Sequence, residues 1–167
     1  MMVPIRLTWL AVAASLMLSA GGAAAHCQIP CGIYDDPARF TLLKEHISTI
    51  EKSIVQLQKL TTAEQVDHNQ VTRWVNNKDD HADQFATIVT HYFLAQRIKP
   101  SDPAEAEAHA TYLRQVTWLH EMIVFAMKSK QSTHIEHCVR LRTLVDMFEA
   151  SYLGKTETAR PAQSIAK

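Results

Sequence analysis

The sequence from residue 36 to residue 60 reads DPARFTLLKEHISTIEKSIVQLQKL. Asp36 followed by Pro37 is typical of a helix start, with the aspartate as N-cap and the proline at the first helical position. Apolar residues then recur every three or four positions, which is the spacing of one face of an α-helix. They are Phe40, Leu43, Ile47, Ile50, Ile54 and Leu57. The stretch therefore predicts a long amphipathic helix that ends at about Leu60.

The same spacing continues along the chain and predicts a second and a third helix. Thr61 and Glu64 have the separation of a capping box, so the second helix is predicted to start there and to end at about Arg97. A break follows at residues 100–103, where Asp102 is predicted to cap the third helix. The third helix is predicted to run to about Met127.

A fourth helix completes the pattern. Thr133 and Glu136 again have the spacing of a capping box, and the helix is predicted over residues 134–153. Gly154 follows it, and glycine is the usual residue just beyond a helix end. Four long helices joined by short loops predict an all-α fold, an antiparallel four-helix bundle spanning residues 37–154. The polar stretch 155–167 is predicted to be a flexible tail.

The first 25 residues have the composition of a secretory signal. Arg6 supplies the positive charge, an apolar run covers about residues 7–18, and Ala23–Ala25 forms a small-residue cleavage site. The apolar run is too short for a good membrane-spanning helix, so no stable membrane insertion is expected after cleavage. We expect an exported protein, periplasmic or secreted, and a processing peptidase. The alternative is a cytoplasmic protein with a cleaved pro-segment.

The charge balance argues against one class of partner. The 167 residues carry a formal net charge of zero. Residues 1–25 contain Arg6 and no acidic residue, so their removal would make the chain slightly acidic. A nucleic-acid binder needs a basic face, and no nucleic-acid partner is therefore predicted.

The stretch from residue 26 to residue 34 reads HCQIPCGIY and contains the candidate metal ligands. Cleavage after Ala25 would make His26 the first residue. Its amine and the Cys27 amide nitrogen could then chelate a metal, joined by the thiolates of Cys27 and Cys31. Two nitrogens and two sulfurs in a plane suit Ni(II) or Cu(II), whereas zinc prefers a tetrahedron. The His26 imidazole could bind from the axial side. A small-loop disulfide between the two cysteines is the alternative.

Other candidate ligands lie on the predicted helices. Cys138 sits in a helical pattern and is predicted to be a buried core thiol. His134 and His137 are one helical turn apart beside it, a spacing that can bind metal, although solvated or capping histidines are commoner. His81 has three aspartates nearby and is assigned to a polar helix face.

The pattern H-C-x-x-P-C-G-x-Y closely resembles the N-terminal hook of the nickel superoxide dismutases. The matching residues are His26, Cys27, Pro30, Cys31, Gly32 and Tyr34, and Asp35 also fits. The resemblance implies a nickel ion bound by the amine and imidazole of His26, the amide and thiolate of Cys27, and the thiolate of Cys31. It makes residues 26–36 the nickel-binding hook. It also implies a four-helix bundle that assembles into homohexamers.

The resemblance implies a reaction as well: superoxide is converted to dioxygen and hydrogen peroxide by Ni(II)/Ni(III) cycling. His26, Cys27, Cys31 and Tyr34 are then the catalytic residues. Tyr34 would gate access and hydrogen-bond small anions or water without binding the metal. The alternative is that Tyr34 only packs the hook on the bundle.

Some members of that family orient the axial histidine with a glutamate and an arginine. The ungapped position of the glutamate is Leu42 here, with Glu45 one turn away. Arg73 or Lys78 could supply the positive partner of His26.

Two other functions use the same residues differently. An exported copper- or nickel-binding protein, or a metal-delivery protein, would need affinity and exchange but no redox cycle. A purely structural helical bundle would need only a local disulfide. The dismutase requires a metal that cycles by one electron and an open axial face.

Overall fold

The computed structural model describes residues 32–154, which form four helices and no strand. Helix α1 spans Asp36–Thr61, α2 spans His68–Thr87 and continues as a π-helical segment over Ile88–Arg97, α3 spans Ala106–Gln131, and α4 spans Glu136–Tyr152. Each helix packs on the next, and α1 also packs on α4. The chain is therefore an all-α, antiparallel four-helix bundle, which confirms the predicted fold class.

The predicted apolar face of α1 forms one wall of the core. All six of its predicted core residues are at most 3 % exposed. At the end of the bundle where α1 begins, three buried phenylalanines from three helices meet. The ring centroid of Phe93 lies 5.0 Å from those of Phe40 and Phe148. Such tilted and edge-on aromatic packing fixes the relative positions of α1, the π-helical segment and α4.

The start of α1 differs from the prediction by one residue, and the difference matters for the site. Asp35, not Asp36, is the N-cap, because its Oδ1 accepts a hydrogen bond of 3.0 Å from the backbone nitrogen of Ala38. Asp36 is the first residue of the helix itself. Its carboxylate is therefore free to bind side chains from other helices.

The predicted capping box at Thr61 and Glu64 is wrong. The Thr61 hydroxyl donates to the carbonyl oxygen of Leu57 at 2.9 Å, so this threonine satisfies the end of α1 and does not start α2. Helix α2 begins later and is capped by Asp67, whose Oδ1 accepts from the backbone nitrogen of Gln70 at 3.0 Å. Threonine bonding back to a carbonyl four residues earlier competes with capping.

The later helix boundaries follow the prediction more closely than their caps do. Asp102 accepts from the backbone nitrogen of Ala104 at 2.9 Å in a turn that precedes α3, so it is not the cap. Helix α4 is preceded by Ile135 and has no side-chain cap, so the second capping box is also wrong. Gly154 has a φ of 66°, the left-handed conformation that glycine adopts most readily, and confirms the predicted stop.

Part of the predicted organisation lies outside the described residues. This applies to the leader at residues 1–25, the hook up to residue 31, and the tail at residues 155–167. Within residues 32–154, no helix is long and apolar enough to cross a membrane.

Candidate functional site

Of the predicted site residues, Tyr34 is the one that the structure describes. His26, Cys27 and Cys31 precede the described part of the chain. Tyr34 and the four helices belong to one compact unit. It lies two residues before α1 and is 38 % exposed.

Three side chains from the C-terminal end of the π-helical segment contact Tyr34. The edge of its ring meets the ring of Tyr92, with 5.8 Å between centroids and an interplanar angle of 79°. The guanidinium carbon of Arg97 lies 4.4 Å from the Tyr34 ring centroid, within the range of a cation–π contact. The Tyr34 hydroxyl donates to Oε1 of Gln96 at 3.4 Å, which is long for a hydrogen bond between oxygens.

A single carboxylate organises this end of the bundle. Asp36 Oδ1 accepts hydrogen bonds from the Tyr92 hydroxyl at 2.6 Å and from Arg97 Nε at 2.9 Å. Its Oδ2 accepts from Arg97 Nη2 at 2.5 Å and from the Tyr152 hydroxyl at 3.0 Å. We call Asp36, Tyr92, Arg97 and Tyr152 the Asp36 cluster. It joins the start of α1, the π-helical segment and the last turn of α4.

The π-helical segment explains why Tyr92 and Arg97 reach the same carboxylate. In an α-helix, residues five apart point about 140° away from each other. In a π-helix, hydrogen bonds join residues five apart, so such residues lie on the same side of the helix, as residues four apart do in an α-helix. The bond from the backbone nitrogen of Ile98 to the carbonyl oxygen of Phe93, 2.9 Å long, shows this spacing at the end of the segment. The segment therefore presents Tyr92 and Arg97 on one side.

The charges of the Asp36 cluster are arranged to hold the carboxylate ionised. Burial alone would raise the pKa of Asp36, but hydrogen bonds from Arg97, Tyr92 and Tyr152 outweigh burial and lower it below its ordinary value. Burial and the bond to Asp36 raise the pKa of Tyr92 and of Tyr152 to about 12. The hydrogen bond to Asp36 raises the pKa of Arg97. Arg39 adds a further cation, 4.9 Å from the Tyr92 ring centroid.

The Asp36 cluster is not evident from the sequence because each member has a sufficient local explanation. Asp36 has the position of a cap, and Tyr92 has the apolar spacing of the second helix. One signal could have found them, since a tyrosine in a buried stripe needs a partner for its hydroxyl. Antiparallel topology places the start of α1 beside the ends of α2 and α4, where Asp36 is the nearest candidate acceptor.

The other predicted ligands do not form a metal site. Within residues 32–154, no group of three or more histidine, cysteine or acidic residues could hold a metal ion. The rings of His134 and His137 are 5.8 Å apart. Cys138 is fully buried, which confirms the predicted core thiol, and burial raises its pKa to about 11. A protonated, buried thiol is a poor ligand.

His81, which is assigned from the sequence to a polar helix face, contacts a histidine of α1. It is half-buried, and its Nδ1 lies 2.9 Å from Nδ1 of the buried His46 on α1. One ring must donate and the other accept, so at least one of the two is neutral.

The ammonium group of Lys78 is fully used in structural hydrogen bonds. It therefore has no N–H left to donate to His26, for which the sequence suggested it as a positive partner. Its side chain is 3 % exposed. Nζ donates hydrogen bonds of 2.7 Å to Asp79 Oδ1 and to the carbonyl oxygens of Ser129 and Lys130. These three bonds use all the donors of an ammonium group.

Most of the chain is similar to a known protein family. Residues 22–156 match the family model of nickel-containing superoxide dismutase. This span contains the predicted hook and all four helices. No curated protein and no solved structure matches the chain.

Proposed function

Since the chain belongs to the nickel-containing superoxide dismutase family, we propose that His26, Cys27 and Cys31 hold its nickel and that the metal supplies one-electron chemistry between Ni(II) and Ni(III). Family membership makes the protein an oxidoreductase that acts on superoxide, with nickel as its cofactor. In the net reaction, two superoxide anions and two protons give dioxygen and hydrogen peroxide. The observation that carries the proposal is the family match over residues 22–156, because it includes the H-C-x-x-P-C-G-x-Y segment.

The donor chemistry of the segment fits nickel. The amine of His26 and the amide of Cys27 are adjacent in sequence and would chelate through a five-membered ring, and the two thiolates would complete a set of two nitrogen and two sulfur donors that suits nickel. The ligands must lose protons to bind, so nickel affinity falls as pH falls. Cys138 offers no competing ligand because it is buried and protonated.

Tyr34 is proposed as the residue that controls access of small anions to the metal. It follows Cys31 by three residues, so its Cα lies within about 11 Å of the cysteine Cα along the chain. Its ring is held by Arg97 and Tyr92, whereas its hydroxyl makes one long hydrogen bond, to Gln96, among the residues that the structure describes. The hydroxyl can therefore exchange that bond for one to water or to superoxide.

The proposal extends to processing and assembly. A peptidase would remove residues 1–25 and so create the free amine of His26, which the ligand set needs. The signal-like composition of those residues supports export to a periplasmic or extracellular space. Similarity to the family supports a homohexamer.

Native mass spectrometry of the purified protein tests the proposal directly. We expect a chain that begins at His26, one nickel per subunit, and a mass that is a multiple of the subunit mass. A chain that retains residues before His26, or one that carries a disulfide between Cys27 and Cys31 and no metal, would contradict the ligand set.

A further inference from the structure

We propose that Asp36 and Arg97 are positioning residues for the dismutation, because together they hold the ring of Tyr34 at the end of the bundle. The inference rests on the proposed role of Tyr34 and adds the residues through which the fold controls it. Three features support it: the fixed carboxylate of Asp36, the fixed guanidinium of Arg97, and the few other contacts that the Tyr34 ring makes with the described residues.

The carboxylate of Asp36 is fixed because its acceptor sites are filled. An ionised carboxylate accepts about four hydrogen bonds. Asp36 receives two from Arg97, one from Tyr92 and one from Tyr152. Its side chain is 15 % exposed. Asp36 therefore has no lone pair available to take a proton from substrate, and its role is to anchor other side chains.

The guanidinium of Arg97 is fixed in turn by that carboxylate. Nε and Nη2 bond to the two different oxygens of Asp36, which sets the orientation of the planar group as well as its position. The same group lies over the Tyr34 ring, 4.4 Å from its centroid, and 5.9 Å from that of Tyr152. Since Asp36 compensates its charge, Arg97 serves better as a support for the ring than as an attractor of superoxide.

Tyr34 depends on this support because its other contacts with residues 32–154 are weak. It precedes α1, so no helical hydrogen bond holds it, and its hydroxyl bond to Gln96 is long. The edge contact with Tyr92 restrains one side of the ring. Within the part of the chain that the structure describes, the guanidinium of Arg97 restrains the face of the ring. A shift of about 1 Å in a positioned group can lower a rate by up to about 100-fold.

Lysine should replace Arg97 only in part. It keeps the positive charge, but its single ammonium cannot make the two-pronged bond to a carboxylate or stack as a plane on a ring. Arg97→Lys therefore separates the charge from the geometry. Arg97→Gln removes both, and Asp36→Asn removes the anchor of the guanidinium while keeping the arginine side chain itself.

NMR of the metal-free protein, labelled in its four tyrosines and in its arginines, measures the support without using activity. Tyr34 is assigned by the loss of its signals in Tyr34→Phe. In the unaltered chain, we expect the side-chain CH₂ protons of Arg97 to be shielded by the Tyr34 ring. In Arg97→Gln and Asp36→Asn, we expect the Tyr34 signals to move toward those of an exposed tyrosine.

Nickel content and turnover are then measured on the same variants. We expect Arg97→Gln to keep one nickel per subunit and to lose about tenfold in kcat, with Arg97→Lys between it and the unaltered enzyme. Arg140→Gln is the matched control, because Arg140 also pairs with a carboxylate, Glu121 at 2.5 Å, and lies 6.0 Å from the ring centroid of Phe125. It should change neither the Tyr34 signals nor kcat.

The outcomes distinguish failure of this inference from failure of the proposed function. Unchanged Tyr34 signals in Arg97→Gln would overturn the support, whatever the activity. If the Tyr34 signals move in Arg97→Gln while turnover stays complete, and if Tyr34→Leu loses turnover, the positioning role is overturned. Full turnover in Tyr34→Leu would instead reject the role proposed for Tyr34, and the positioning role with it. If Arg97→Gln does not fold, Arg97→Lys takes its place in the test. Partly shifted Tyr34 signals and a partly lowered kcat in Arg97→Lys would support the inference, and values equal to those of the unaltered enzyme would overturn it.

Discussion

The ammonium nitrogen of Lys78 lies 2.7 Å from the carbonyl oxygen of Ser129 and closes the C-terminal end of α3 from a neighbouring helix. Carbonyls in the last turn of a helix have no partner within the helix. We expect Lys78→Met to leave the carbonyl oxygens of Ser129 and Lys130 without a hydrogen-bond donor. The expected loss is about 2 kcal/mol in the free energy of unfolding, measured by urea denaturation.

Lys52→Met provides the control for that measurement. Lys52 is exposed, so its replacement should change the free energy of unfolding by less than about 0.5 kcal/mol. Equal stability of Lys78→Met and the unaltered protein would show that the three hydrogen bonds of Lys78 contribute nothing beyond their desolvation cost.

The histidine pair between α1 and α2 makes stability depend on pH. Burial and the nearby His81 lower the pKa of His46 below its ordinary value of 6.5, and Glu45 opposes the shift only in part. Below pH 6.5 the unfolded chain therefore binds more protons at this position than the folded chain does. We expect the free energy of unfolding to fall as pH drops below about 6.5, and this effect to level off below the folded pKa.

Two variants isolate this effect from other histidines. His46→Leu should flatten the pH dependence, as measured by urea midpoints from pH 5 to pH 8. The pKa of His137 is also lowered, by burial first and then by His134 and Lys128. His137→Gln should therefore remove a separate contribution to the pH dependence of stability and leave the contribution of His46 unchanged. An unchanged slope in His46→Leu would contradict the assignment.

The buried thiol of Cys138 should differ from the two cysteines of the hook in its reactivity. With a pKa of about 11, about one molecule in a thousand carries the thiolate at pH 8. We expect the reduced, metal-free protein to react quickly at two thiols, and at Cys138 only after denaturation. Cys138→Ala should retain full nickel content, whereas loss of nickel in that variant would assign Cys138 a role in the metal site.

The proposed ligands can be tested one by one. We expect Cys27→Ser and Cys31→Ser to abolish dismutase activity while the helical circular dichroism stays unchanged, because the ligands precede the bundle in sequence. His26→Ala should bind nickel but turn over more slowly, since it would keep the amine as a ligand and lack the imidazole. Activity retained in either cysteine variant would reject that residue as a ligand.

The sequence predicted the bundle well because helices of this length carry their periodicity locally. The buried face of α1 was identified residue by residue, and Gly154 marked the end of α4. The caps were predicted less well. A threonine can bond forward to start a helix or backward to end one, and Thr61 bonds backward.

The candidate site was predictable where the chemistry is contiguous in sequence and not where it is assembled by the fold. Tyr34 was found because it belongs to a nine-residue pattern. Arg97 was missed because its position depends on the π-helical spacing of residues 88–97, which changes the direction of the side chain without a sequence signal of its own.

The hydroxyl of Tyr152 bonds to a carboxylate that lies 116 residues earlier in the chain. During synthesis, the amino-terminal segment emerges from the ribosome first and Tyr152 emerges long after it. The surroundings of Tyr34 are therefore complete only when α4 has been made and docked. A truncated chain that lacks its last helical turn would still carry the thiols of the hook, but it would lack the finished end of the bundle beside Tyr34.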